Sequence, residues 1–334
     1  MHQSLCKQNI YTILMIMSVI LSVLLAMSIG SLDISLTDSF NCLFSEHTSS
    51  KSSDSLACTI IWEIRLPRIL MAAITGAGLS AAGLILQSVT RNPLADPYLF
   101  GISSGASLGA VSAMTLFAGT GITIIFGALS GGILSILLML IIAGRSVYVV
   151  EKLLLSGVAI SFMLSAFMSL ILYYSTPDVA TSLLFWMMGS FENSQWNDLL
   201  LPAVYVLTGA VVFFIFRRWI TVIQTGDETA LALGIPVNQL RVGILLVCAI
   251  MTAVIVAHVG GIGFVGLMIP HIARYWVGTA VQRVLLTTIL LGSVFMIWVD
   301  VVARSLLEAQ VLPIGIVTSA IGSIFFFIML KRRK

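Results

Sequence analysis

Apolar runs long enough to cross a bilayer follow one another along almost the whole chain, a pattern that leaves no soluble fold open. A membrane helix needs roughly 20 mostly apolar residues. The sequence supplies such runs at about 10–30, 66–90, 98–118, 121–143, 153–174, 199–216, 242–259, 262–277, 284–303 and 311–330. Only 9% of the 334 residues are charged and mean hydropathy is +1.09, where an ordinary soluble domain carries about 25% charged residues. The chain reads as an all-α polytopic membrane protein with about ten transmembrane helices in a single domain over 1–334. Two of the divisions are inferred from glycine turn points, Gly119-Thr120-Gly121 and Gly260-Gly261, because 98–143 and 242–277 are otherwise continuous. The first run is too long for a signal-peptide core and counts as a crossing.

Charge placement sets the orientation. Lys7 at one end and Lys331, Arg332, Arg333 and Lys334 at the other both call for cytoplasmic termini, hence an even number of crossings. Arg91, Arg145, Lys152, Arg217, Arg218, Arg241, Arg274 and Arg283 then also fall inside, and only Lys51, Arg65, Arg68 and Arg304 fall outside. The outer segment 31–63 holds a Ser-rich tract with nothing to pack and is expected to be mobile. Its Cys42 and Cys58 can form a disulfide in an oxidising compartment; two unrelated thiols are the other reading. A second outer segment, 175–198, carries an apolar stretch too short to cross. A short interfacial or re-entrant helix is expected there, with Trp186 and Trp196 suited to the membrane boundary. Gly101, Gly105 and Gly109, like Gly127 and Gly131, recur at four-residue spacing and predict close helix packing.

Between two apolar runs lies a polar island, 217–241, bracketed by Arg217 and Arg218 on one side and Arg241 on the other. A short helix is predicted from Asp227 to Leu233, with acidic residues at its positive end, then Gly234 and Ile235-Pro236 as stop signals. Ala230, Leu231 and Leu233 are its expected packing face. No catalytic constellation and no phosphate-binding G-x-x-x-x-G-K-[ST] loop occurs. His258 and His271 suit structural roles in a bundle better than metal ligation. Asp300 and Arg304, four apart, are expected to pair. On residue chemistry alone, Arg304 with Arg65 and Arg68 fits either local ion pairing or a cationic outer surface for an acidic partner.

Several long stretches resemble a known family, the FecCD-type permease subunits of type II ABC importers for iron-siderophores, haem and cobalamin. They are RLPRIL (65–70), GAGLSAAGLILQ and RNPLADPYLFGISSGASLGA (76–110), GDETALALGI (226–235), GGIGFVGLMIPHIAR (260–274), and DVVAR with LPIGIVTSAIG (300–322). The resemblance spans nearly the whole chain. It implies a homodimer of twenty helices in a bacterial cytoplasmic (inner) membrane, with two ATPase subunits beneath, which carry ATP and Mg, and a substrate-binding protein above. It assigns Arg65, Arg68 and Arg304 to docking of that binding protein. Gly226, Asp227, Glu228, Ala230, Leu231 and Gly234 become the ATPase-coupling segment. The translocation path is expected along the fifth and tenth helices and the short outer helix near 182–189, with Val150 and Glu151 at the inner gate, where cobalamin-type relatives carry small hydroxyl residues. The chain itself is expected to bind no cofactor or metal, to catalyse nothing, and to have no nucleic-acid partner. A ferric siderophore or haem is the expected cargo, with cobalamin or an oxyanion such as molybdate as the alternative. An ion-coupled secondary transporter would need buried titratable groups along a path, and paired Asp300 near the outer end serves poorly. An intramembrane enzyme would need a convergent nucleophile-base or metal set.

Overall fold

The computed structural model of the chain describes residues 2–30, 35–44, 52–117, 121–144, 149–307 and 310–332. All regular structure among them is helical: α1 (His2–Ser28), α2 (Leu36–Phe44), α3 (Ser52–Thr59), α4 (Leu66–Thr90), α5 (Ile102–Leu116), α6 (Gly121–Ala143), α7 (Val150–Tyr174), α8 (Pro177–Met187), α9 (Trp196–Thr225), α10 (Asp227–Ala232), α11 (Val237–Val259), α12 (Val265–Val277), α13 (Val281–Ser305) and α14 (Ile314–Arg332). The ten expected crossings correspond to α1, α4, α5, α6, α7, α9, α11, α12, α13 and α14. Helix α11 ends at Val259, immediately before the predicted glycine break. The other break falls between α5 and α6, where residues 118–120 lie outside the described residues.

Helix α4 is the centre of the bundle, with 83% of its spanning window buried, against 22% for α7 and 28% for α9. Its small residues make this possible. A Cβ on Gly76 would collide with the carbonyl oxygen of Gly292 in α13, and one on Gly83 with that of Gly266 in α12. Backbones in contact gain dispersion along their whole length, which is the main attraction available between helices in lipid. The same device joins α5 to α6 through Gly105 against Gly131 and Gly109 against Gly127, as the spacing predicts. Gly101 differs: with φ of 75° it is the turn residue that ends the 3-10 helix Pro97–Phe100 and starts α5.

Helices α5 and α12, at 15 and 13 residues, are shorter than a full crossing and begin inside the bundle. Non-helical backbone at such positions persists only where protein satisfies its polar groups. Here Ile262 N–H donates to the Tyr98 hydroxyl at 2.8 Å, Ser190 N–H to Val259 O at 2.9 Å, and Ile314 and Gly315 N–H to the carbonyls of Gly189 and Met188 at 2.9 and 2.8 Å. The end of α8 is thereby joined to the end of α11 and the start of α14.

The segment 31–63, expected as a mobile loop, has helices among its described residues. It contains α2 and α3, joined by a Cys42–Cys58 disulfide, and a π-helical turn over Ile60–Arg65 that runs into α4. Pro67, which has no N–H to donate, follows this turn, and Leu66 N–H bonds five residues back to Ile61 O. Trp62 Nε1 donates to Cys42 O at 2.9 Å, and Trp196 Nε1 to Trp62 O at 2.8 Å. Most of the Ser-rich tract, residues 45–51, lies outside the described residues. The segment 175–198 does contain the expected short helix, α8.

Candidate functional site

The polar island is less of a loop than its composition indicates. Helix α9 continues through Arg217 and Arg218 to Thr225, nine residues beyond the predicted end. Arg217 is held along the helix surface, with Nε donating to Gln282 Oε1 at 3.2 Å and its guanidinium over the Phe214 ring at 4.0 Å. Gly226, at φ 136°, breaks the helix, and α10 follows until Gly234 at φ 77°.

Helix α10 is too short to be stable by itself, and its first residue fixes it in place. Asp227 Oδ1 accepts from Arg241 Nη2 at 2.8 Å and pairs with Arg91 Nη2 at 3.0 Å, while its Oδ2 accepts from Arg241 Nη2 at 3.1 Å. Arg241 is 1% exposed and also donates through Nε to Val89 O at 3.4 Å. The expected packing face needs correction. Ala230 is fully buried against its own chain, whereas Leu231 and Leu233 are 58% and 66% exposed. A six-residue helix seated by one buried alanine turns its bulkier neighbours outward, which leaves Leu231 and Leu233 as exposed apolar surface. Glu228 stands in the first turn beside Asp227.

At the far end of α4 the three outer arginines come together, though not as an open cationic surface. Arg65, Arg68 and Arg304 are only 5%, 6% and 9% exposed. Arg68 Nε binds Asp300 Oδ1 at 2.7 Å, and Arg304 Nε stands 3.6 Å from Asp300 Oδ2. Arg65 Nη1 donates to Met27 O at 2.6 Å and Arg304 Nη2 to Ala26 O. Those carbonyls belong to the last turn of α1, where helices leave acceptors unsatisfied and the dipole favours cations. The expected Asp300–Arg304 pair exists, but Arg68, 232 positions away from Asp300 in sequence, makes the closer contact. No spacing rule reveals such a pair, and the same holds for Arg91 with Asp227.

Both central histidines are engaged structurally. His258 Nδ1 lies 2.8 Å from Val254 O, and the His271 ring packs edge-on against Phe325. Val150 and Glu151 open α7, and Glu151 is exposed. A second polar link ties α12 to α4: Arg274 Nη1 donates to Gln87 Oε1 at 2.6 Å and Gln87 Nε2 to Gly266 O at 3.0 Å.

The architecture built by the fourteen α-helices among the described residues has known counterparts. The family model of the FecCD transport family matches residues 17–332. The chain belongs to the FecCD transport family. Among its FecCD relatives, a probable iron chelatin transport system permease protein of Helicobacter pylori is 38% identical over 289 residues, covering 86% of each chain. A Bacillus subtilis Fe(3+)-citrate import system permease protein is 36% identical, covering 92% of this chain and 90% of its own. Other relatives of similar identity are named for cobalamin and for molybdate import. A solved structure described as an inward-facing conformation of a metal-chelate type ABC transporter superposes with a TM-score of 0.85 at 30% identity, covering 97% of this chain and 99% of that one. This FecCD protein is a multi-pass membrane permease of an ABC importer, and the family does not fix its cargo.

Proposed function

We propose that the permease moves a ferric siderophore or haem into the cytoplasm, as a homodimer with two ATPase subunits beneath it and a substrate-binding protein above. The observation that carries this reading is α10, a short helix locked by Asp227 to Arg241 and Arg91 with Leu231 and Leu233 outward. Such a helix transmits a push instead of absorbing it. ATP and Mg belong to the ATPase subunits, whose closure would drive α10 and switch the side to which the path opens. Gly226, Asp227, Glu228, Leu231 and Gly234 form the coupling segment in this reading, and Ala230 seats it.

The Cys42–Cys58 disulfide supports an outer position for α2 and α3, since disulfides persist in oxidising compartments. With that end outside a bacterial cytoplasmic membrane, both termini lie in the cytoplasm. The path runs along α7, α8 and α14 between the two copies, with Val150 and Glu151 at its inner gate. Arg65, Arg68 and Arg304 contribute to docking of the binding protein indirectly, by holding α1, α4 and α13 together beneath the surface it meets. Iron chelates come first as cargo because the iron-named relatives are among the most similar.

The test is ATP-dependent accumulation of radiolabelled ferric siderophore or haem in liposomes holding the permease, its ATPase and a loaded binding protein. Accumulation without the ATPase would replace this reading with an ion-coupled carrier. Uptake of a corrinoid or molybdate but no iron chelate would keep the mechanism and change the cargo.

A further inference from the structure

The last turn of α4 reaches the coupling segment twice, through Val89 O to Arg241 and through Arg91 to Asp227. Arg91 holds φ of 52°, the left-handed region that residues with a Cβ rarely occupy and where helices commonly end on glycine. That posture carries its side chain across the start of α10: a Cβ on Gly226 would stand 3.9 Å from Arg91 Nη1. The two arginines on Asp227 have different burdens. The Arg241 side chain is 2% exposed and needs Asp227 as its counter-ion, whereas the Arg91 side chain is 42% exposed and water would satisfy it equally well. Charge balance therefore explains Arg241 and leaves Arg91 unexplained. What Arg91 adds is a direction, since it ties α10 to α4 as well as to α11. Helix α4 is the most enclosed spanning segment and carries the Arg68–Asp300 pair at its other end.

We propose that Arg91 is a positioning residue that fastens α10 to α4, so that load on α10 enters the bundle through its central helix and reaches the arginine–Asp300 cluster. The inference rests on the reading of α10 as the ATPase-coupling helix. Two variants test it in the complete reconstituted complex, Arg91→Gln and Arg91→Lys, each followed by ATP hydrolysed per substrate imported and by hydrogen exchange of the α10 amides. Loss of an exposed pair is worth up to about 1 kcal/mol, so Arg91→Gln should raise both the ATP cost per import and the exchange rate by up to about fivefold. The ATPase should co-purify at its usual stoichiometry, and Arg91→Lys should restore both readouts. An unchanged ratio and exchange rate in Arg91→Gln overturn the proposal. So does a variant that loses uptake because the ATPase no longer co-purifies, which would make Arg91 a docking residue. If the unsubstituted complex imports nothing on ATP, the coupling reading fails, while exchange on the permease alone still decides whether Arg91 fastens α10.

Discussion

Replacing Asp300 with alanine should destabilise the permease by about 3–5 kcal/mol, the range for removing one partner of a buried ion pair. The carboxylate is fully enclosed, 2.7 Å from Arg68 Nε and 3.6 Å from Arg304 Nε. A unit pair about 4 Å apart is worth roughly 4 kcal/mol at an effective dielectric of about 20. Asp300 serves two such pairs, and the cost of burying three charges offsets part of the sum. Deleting it leaves two guanidinium groups facing each other, and no spare acceptor stands by: Arg68 Nη2 and Arg304 Nε already lack a hydrogen-bond acceptor among the described residues. The assay is reversible unfolding of the purified protein in mixed micelles, comparing midpoints at unchanged slope. A companion variant, Arg68→Met with Asp300→Leu and Arg304→Met, removes Asp300 together with both of its ion-pair partners, leaves Arg65 on Met27 O, and should lie near the parent, because apolar replacement of a buried ion cluster is often neutral. An Asp300→Ala protein within about 1 kcal/mol of the parent would refute the reasoning, since the cluster would then be hydrated or repaired by movement.

Leu231→Glu should leave stability within about 0.5 kcal/mol, as an exposed substitution, yet raise the ATP consumed per substrate imported. Ala230→Leu at the buried position should instead cost about 1–3 kcal/mol of overpacking, read as a lowered unfolding midpoint. Removing the disulfide by Cys42→Ser with Cys58→Ser should cost the α2–α3 segment about 3 kcal/mol for a 16-residue separation, seen as faster proteolysis there. Gly83→Val should push α4 from the Gly266 carbonyl and destabilise by at least about 1–3 kcal/mol, with Gly83→Ala milder; equal midpoints for all three proteins would mean that the backbones do not meet.

What could be read from the sequence had local causes. Gly226, Gly234 and Pro236 bracket α10 because helix stops act on neighbouring backbone, and four-residue glycine spacing exposes the α5–α6 seam because it repeats along one face. Amphipathic direction is not legible for α10: Ala230, Leu231 and the C-cap Leu233 sit within about one turn, and only the surroundings decide that Ala230 faces inward. Helix α9 overran its predicted end because arginines are good helix formers and Arg217 finds Gln282 and Phe214 beside it, so the end of the apolar run was not the end of the helix. Enclosure of the outer arginines depended on α1 and α13, which meet α4 only after folding.

The two ion clusters acquire a common meaning from the surface between them. Where α4 meets its neighbours at glycine, Gly76 on Gly292 and Gly83 on Gly266, there is no room for a Cβ, so a shift that brought any other residue to those contacts would clash. Packing therefore holds α4 in the bundle and keys it along its middle, where Ser80 Oγ also donates to Thr288 O and Gln87 Nε2 to Gly266 O, both at 3.0 Å. A shift of one helical turn, about 5.4 Å, would separate Arg68 from Asp300 at one end and Arg91 from Asp227 at the other, contacts of 2.7 and 3.0 Å. Charge pairs at the two ends of a central helix already keyed along its middle make axial position a costly coordinate, the one along which the proposed push on α10 would act.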